Sequence, residues 1–363
     1  SAGGVELIRT LTWATPSKSF AARLVGFGTF CLSAAPGYLR WRRAADVVYA
    51  ILPPLPLGAA AWAIARLSGA RLVVNVQDIY PDVAVSLGYL RNRPAIAFFR
   101  FLERWIYRRA EAVTVISPGF RDNLLAKGVP AGKIHLTPNW ADPDEIAPGE
   151  KDNAFRRETG AGDGLLVVYS GGLTHNAELD TVLEAAALLH GLPVTFALVG
   201  DGVRKPALEA RAAALGLDNV RFFPFQPLER YAEVLAAADL TLATLNPAAA
   251  FASAPSKVYK QMAAARPVVA IAGAASELGR LIAEAGCGRT VPPGDAAGLA
   301  ALLQLALEER EAFAQMGRRG REYLERNCGR RQAVGRIEAV LSEVSLRPPA
   351  PRRWSGVAFR LRD

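Results

Sequence analysis

The sequence predicts an α/β protein made of two Rossmann-like, doubly wound parallel-sheet domains. Three observations carry that prediction. Short runs rich in valine, isoleucine and leucine alternate with longer helical stretches along most of the chain, the pattern of a parallel sheet with helices on both faces. The alternation breaks at the polar segment NWADPDEIAPGEKDN, residues 139–153, and starts afresh beyond it, as a linker between domains would. Glycine turns recur at strand ends in the second half, the edge where such sheets bind ligands. With 363 residues, 51% hydrophobic and 21% charged, the chain can bury the cores of two or three domains, and bulk disorder is excluded.

In chain order, VELIR (residues 5–9) is expected as a strand, followed by a helix over 21–43, a strand over 47–51 and a helix over 58–67. The apolar region 44–67 carries Asp46 and is broken by LPPLPLG. A membrane span would need about 20 unbroken apolar residues, so strand, loop and helix is the better reading. Strand LVVNV (72–76) runs into QDIYPD; a helix over 94–110, strand AVTVIS (112–117), a short helix over 119–127 and strand KIHLTPN (133–139) complete the first unit.

The second unit opens with LLVVYSGG (165–172) and continues with strands VTFALVGDG (194–202), VRFFPF (220–225), LTLATL (240–245), PVVAIAG (267–273) and GRTVP (288–292), with helices between them. Helices over 297–307, 312–325 and 331–345 follow. The expected division is a first domain over 1–145, a second over 146–325, a helix within 326–347 returning toward the first domain, and a basic, proline-rich tail over 348–363.

The 43 Lys+Arg against 34 Asp+Glu give a net charge of +9, which favours anionic partners: nucleotide phosphates, anionic lipid or nucleic acid. Cys31, Cys287 and Cys328 lie far apart in no pairing or ligand spacing, as in a reducing compartment.

Three turns of the second unit face the cleft expected between the sheets. In SAPSKVYKQMAAARP, Ser253 suits an N-cap and Pro255 the first turn, leaving the amides of Ser256 and Lys257 free beside the Lys257 charge. That is an anion site at a strand–loop–helix junction. The SGG turn brings Gly171 and Gly172, and the GDG turn brings Gly200, Asp201 and Gly202 with Arg204 and Lys205 just beyond. On the first unit, Ser117 and Asn139 end strands and are expected to line the cleft. The triplet DPD at Asp142 reads as a turn, and His135 and His175 belong to no metal-spaced set.

The ordered motifs VQDIYPD, AVTVISPGF, KIHLTPNWAD, VVYSGGL, FALVGDGVRKPALEA, NVRFFPFQPLERYAEVLAAADLTLATL and APSKVYKQMAAARPVVA resemble the family 4 glycosyltransferases of the GT-B fold. They are similar, more narrowly, to bacterial enzymes of capsule, colanic acid and O-antigen assembly. The resemblance implies retaining transfer of a hexose or N-acetylhexosamine from a UDP- or GDP-linked sugar, with no cofactor or essential metal. The donor would sit on the second domain and a glycan or lipid-linked acceptor on the first. A cytoplasmic enzyme, peripheral at the inner membrane face, fits that role; nucleic acid does not. Family members begin with a further strand and Gly-rich loop, so the first domain is expected to be incomplete at its start.

In the family a Glu-x7-Glu pattern brackets the donor; here those positions are Ala252 and Lys260. The resemblance therefore shifts donor contact to Pro255, Ser256 and Lys257. An Arg/Lys pair that relatives carry after the first donor-domain strand is replaced near His175 and Asn176, with Arg204 and Lys205 left to supply charge. Asp78, and second to it Asp82, are the candidates for acceptor-hydroxyl or sugar contact. The helix over 94–110 carries Phe98, Phe99, Phe101, Trp105 and Tyr107 among Arg100, Arg104, Arg108 and Arg109. It reads either as a core helix with a basic solvated face or, with Arg40, Trp41, Arg42 and Arg43, as a membrane-surface patch. Two other functions share the architecture: a nucleotide-sugar 2-epimerase, whose carboxylate and histidine set is not found, and a non-catalytic nucleotide-sugar binder.

Overall fold

A computed structural model describes residues 5–13, 20–39, 45–250 and 256–346. The first unit contains α1 (Phe20–Leu39), β1 (Val47–Leu52), α2 (Leu55–Ser68), β2 (Arg71–Val76), α3 (Asp82–Ser86), α4 (Arg93–Arg109), β3 (Ala112–Val115), α5 (Pro118–Ala126) and β4 (Ile134–Leu136). Its four strands pair in parallel in the order β1-β2-β3-β4.

The second unit contains α6 (Ala154–Thr159), β5 (Leu165–Ser170), α7 (Asp180–Leu188), β6 (Val194–Val199), α8 (Lys205–Ala214), β7 (Val220–Phe223), α9 (Leu228–Ala237) and β8 (Leu240–Thr244). It continues through α10 (Lys257–Ala263), β9 (Val268–Ile271), α11 (Glu277–Ala285), β10 (Gly288–Val291), α12 (Ala296–Glu308) and α13 (Arg310–Tyr323). A π-helical turn then leads into α14 (Arg330–Leu346). The six strands run in parallel in the order β10-β9-β8-β5-β6-β7, so the winding reverses between β5 and β8. Both units are therefore doubly wound or sequentially wound parallel α/β layers, with β2, β3, β5 and β8 buried almost throughout.

Caps set the helix bounds. Asn92 accepts from the Ala95 amide at 2.9 Å and starts α4, and Ser276 accepts from the Gly279 amide at 3.1 Å and starts α11. Gly286, at φ 57°, ends α11 in the left-handed conformation that glycine adopts without penalty.

One expected strand is absent. VELIR forms no strand of either sheet; Val5 and Leu7 are 61% and 67% exposed, and the residues after it bond instead to α1, with the Trp13 amide donating to Thr29 Oγ1 at 2.9 Å. Alternation marks a segment able to pair, but the partner edge decides whether it does. KIHLTPN keeps only Ile134–Leu136 as strand, because Pro138 cannot donate to a ladder.

The linker is clamped rather than loose. Arg321 of α13 donates to the carbonyls of Ile146 and Ala263 at 2.9 and 2.6 Å and to that of Pro143 at 3.1 Å. Arg330 pairs with Asp142 at 2.9 Å. The Asp144 amide and Arg330 together hold the Asp142 carboxyl below its ordinary range, so DPD is a turn with its first carboxylate engaged. Helix α14 crosses back onto the first sheet, where Val340 and Val344 meet Val73 and Ala112. The tail, residues 40–43 with Arg40, Trp41, Arg42 and Arg43, and the loop positions Ala252, Ser253 and Pro255 lie outside the described residues.

Candidate functional site

The switch point of the second sheet brings together the end of β5 and the start of α10, which follows β8. Ligands of such sheets settle where neighbouring strands wind in opposite directions. Backbone and side-chain bonds knit the loops there. The Asn246 amide donates to the Asn176 carbonyl at 3.0 Å, Asn246 Nδ2 to the His175 carbonyl at 2.9 Å, and the Glu178 amide to Thr244 Oγ1 at 3.2 Å. His175 and Asn176 themselves stand exposed on this rim.

Lys257, the first residue of α10, reaches back over the SGG turn. Its Nζ lies 4.0 Å from the centre of the Tyr169 ring, and a Cβ added at Gly171 would stand 2.5 Å from it. Gly171, at φ 154°, thus leaves room that any side chain would fill. The Tyr169 hydroxyl donates to the Gly172 carbonyl at 2.9 Å and fixes the turn. Part of the Lys257 stem remains exposed, yet the ammonium is enclosed, and no carboxylate lies within salt-bridge distance of it among the described residues. Burial therefore pulls its pKa down to about 7. One turn on, Lys260 stands 5.3 Å from the Tyr231 ring. Two cations held on aromatic faces, with no carboxylate partner among the described residues, give this edge a positive charge suited to an anion.

The helix-end argument is weaker than the lysine. Ser256 is helical in conformation and makes no side-chain cap, and α10 is only 7 residues long. The cation, more than the dipole, defines the site.

The GDG turn serves the scaffold. A Cβ at Gly200 would meet the Gly171 carbonyl oxygen at 1.9 Å, and one at Gly202 the Leu173 carbonyl oxygen at 2.2 Å. These glycines let the two turns touch, and the Leu173 amide donates to the Asp201 carbonyl at 2.9 Å across the contact. Arg204 is engaged in a two-pronged pair with Asp180 at 2.8 and 3.1 Å, and Lys205 faces Glu209 at 3.9 Å. The charge that these residues bring to the turn is thus already met by carboxylates.

On the first domain the candidates separate. Asp78 is half-buried just beyond β2. Asp82 opens α3 and pairs with Lys127 at 2.7 Å, which also holds buried Glu103 at 2.7 Å. Ser117 caps α5, its Oγ accepting from the Phe120 amide at 3.2 Å. Ser117 and Asn139 line an interdomain cavity of about 200 Å³ with Tyr259, Glu277, Glu284 and Tyr323. Tyr259 lies two residues past Lys257, so this cavity is on the other side of α10 from the lysine.

Two participants were not foreseen from the sequence. Tyr169 reads as one more residue of a buried strand, although its place directly before SGG is a signal. Glu277 reads as a first-turn helix charge, but it is buried and pressed on the start of α5, where a Cβ at Gly119 would meet its Oε1 at 1.9 Å.

Comparison with known proteins bears on this geometry. A family model described as "Glycosyl transferase 4-like domain" matches residues 1–140, and one described as "Glycosyl transferases group 1" matches residues 150–323. The putative colanic acid biosynthesis glycosyl transferase WcaI of Escherichia coli is 30% identical over 287 residues, covering 77% of this chain and 70% of that protein. The chain belongs to the family 4 glycosyltransferases.

A second relative, the probable glycosyltransferase WbjE of Pseudomonas aeruginosa, is 30% identical over 65% of this chain and 59% of its own length. Among solved structures, HepE of Anabaena in complex with UDP superposes with a TM-score of 0.72 at 19% identity, covering 86% of this chain and 83% of that one. A sucrose-phosphate synthase of Thermosynechococcus elongatus gives 0.73 at 18% identity, covering 92% and 82%. Both share the GT-B arrangement of two Rossmann-like domains. In this glycosyltransferase Lys260, where the resemblance leads one to expect a glutamate, stands over the Tyr231 ring.

Proposed function

We propose that this glycosyltransferase moves a hexose or N-acetylhexosamine, with retention, from a UDP- or GDP-linked donor to a lipid-linked saccharide in surface-polysaccharide assembly. The observation that carries the reading is the enclosed Lys257 ammonium at the switch point, which meets no carboxylate among the described residues. A donor diphosphate placed over the SGG turn would supply the missing counter-charge. Negative charge accumulates on that diphosphate as the sugar departs, so a fixed cation stabilises the transition state more than the ground state.

In this scheme a bond forms between the acceptor oxygen and C1 while the bond from C1 to the diphosphate breaks. The departing phosphate oxygen takes the acceptor proton. Asp78 would position the acceptor hydroxyl or sugar, whereas Asp82 acts on Lys127. Ser256, Gly171, Gly172, His175 and Asn176 would line the donor, with Lys257 in the charge-neutralising role that a metal ion fills elsewhere. The scheme suits an enzyme working on the cytoplasmic side. Similarity to WcaI and WbjE, and the UDP and UDP-glucose complexes of HepE, support the donor class.

The test is a screen of UDP- and GDP-linked sugars with a lipid-linked acceptor extract, run in excess chelator, with nucleotide release followed and the product anomer read by NMR. Release of one nucleotide with a retained anomer is the expected result. Donor binding with no release from any member of the panel would instead identify a non-catalytic binder.

A further inference from the structure

At the edge of the second sheet opposite Lys257, a cavity of about 290 Å³ opens between the starts of β5 and β8, the linker and α13. Four cations line it, Lys151, Arg266, Arg310 and Arg318, against a single carboxylate, Asp239. That carboxylate is fully engaged: the Leu166 amide donates to it at 2.7 Å, Arg156 pairs with it at 2.9 Å, and Lys151 holds its other oxygen. Arg318 is matched by Glu311. Arg266 and Arg310 are not matched. Each donates to a backbone carbonyl, Arg266 to that of Gly149 at 2.9 Å and Arg310 to that of Asp163 at 3.0 Å, and neither has a carboxylate within ion-pair distance among the described residues.

Arg266 is the less satisfied of the two. It is half-buried, and its Nε is closed off from solvent with no hydrogen-bond partner. Burial outweighs Asp239 and, with Arg156, holds its pKa below the ordinary guanidinium value. The turn that delivers it is strained: Ala265, at φ 52°, is the one non-glycine residue with positive φ among the described residues. Gly317 lets α13 close on that turn, since a Cβ there would meet the Ala265 carbonyl oxygen at 2.2 Å. A strained turn that carries an uncompensated guanidinium into a cavity wall points to a counter-ion from outside the chain.

We propose that this cavity binds the phosphate group of a small phosphorylated ligand, with Arg266 and Arg310 as its counter-charges. Guanidinium groups present donors in a planar fork that matches phosphate oxygens. Leu165, Leu240 and Phe313 complete the wall against which an organic body can rest, and the volume stands near the lower end of small-molecule sites, roughly 300 Å³. The site is separate from the one at Lys257. Strands β5 and β8 are 6 and 5 residues long, so at about 3.3 Å per residue the two edges lie roughly 17–20 Å apart, with the buried sheet between them. Gly149 and Lys151 belong to the linker, so a ligand here touches the segment that joins the domains.

Inorganic phosphate and glucose 6-phosphate are titrated by calorimetry into the full chain at constant ionic strength, above neutrality where both are mostly dianions. Saturable binding is expected, and Lys257→Met should leave it unchanged. Arg266→Gln and Arg310→Gln should each weaken it roughly tenfold or more. Should Arg266→Gln disturb the linker through loss of the Gly149 bond, Arg310→Gln decides by itself, because that side chain is exposed. Tighter binding of glucose 6-phosphate would identify a phosphorylated metabolite as the occupant; equal or tighter binding of inorganic phosphate would identify the free ion. No binding of either probe, wild-type affinity in both arginine variants, or loss of binding in Lys257→Met would overturn the proposal.

Discussion

At the amino edge of the second sheet, Asp239 accepts from the Leu166 amide at 2.7 Å, pairs with Arg156 at 2.9 Å and is also held by Lys151. At the carboxyl edge of the same sheet, Lys257 has the face of Tyr169 and, among the described residues, no carboxylate. Burial alone would raise the Asp239 pKa, but the Leu166 amide and the two cations outweigh it and hold the carboxyl below its ordinary range. Burial of Lys257 meets no such compensation, and its pKa falls to about 7. A buried charge with every partner in place holds the fold together; one left without a counter-ion costs stability until a ligand brings one. The contrast separates scaffold from site within one domain.

The largest effect should come from the scaffold end. Asp239→Ala leaves Arg156 buried without its carboxylate and should cost about 3–5 kcal/mol of stability, read as a drop in the urea midpoint, while the folded fraction binds donor normally. The same carboxylate contributes stability above the unfolded value of about 3.9, lost as pH falls through its lower folded pKa. The wild type should therefore lose more stability on acidification than Asp239→Asn does.

Lys257→Met should do the opposite. Donor affinity is expected to fall by about 2–4 kcal/mol, roughly 30- to 1000-fold in calorimetry. The free protein should be as stable as wild type or more so at neutral pH, since an uncompensated charge is gone. Because the folded lysine titrates near 7 and the unfolded one near about 10.4, wild-type stability should rise with pH between those values, and the variant should lack that rise.

Gly171→Ala should come next. Its new Cβ would stand 2.5 Å from Lys257 Nζ at a φ of 154°, so it displaces the ammonium and strains the turn, at a cost of about 1–3 kcal/mol in donor binding. Lys260→Ala should have the smallest effect, under about 1 kcal/mol, because that cation stands back on Tyr231. Equal losses for Lys257→Ala and Lys260→Ala would erase the distinction between the two lysines.

Much of the fold was legible because parallel strands buried on both faces must be near-continuous apolar runs; LLVVYS and LTLATL could be little else. The position of Lys257 was legible too, since strand, loop and helix order fixes which edge a residue serves. Partnership was not. Nothing in GDGVRK says that Arg204 is already held by Asp180, or that Asp82 is held by Lys127 from a helix far along the chain. VELIR reads as a strand, yet beyond a single bridge at Val5 it stays outside both described sheets. Glu277 looks like a solvated helix-start charge until Gly119 is found against its carboxylate. Local pattern specifies what a segment can do; contacts between distant segments decide which charges stay available.

The most direct test is calorimetric titration of a UDP- or GDP-linked sugar, whose diphosphate does not itself titrate near neutrality, into wild type and Lys257→Met at pH 6.5 and 8.5. Binding that needs protonated Lys257 should weaken as pH rises past about 7 in the wild type, and Lys257→Met should bind weakly with the same affinity at both pH values. Equal affinities for the two proteins, or the same pH dependence in both, would contradict the assignment of Lys257 to the donor diphosphate.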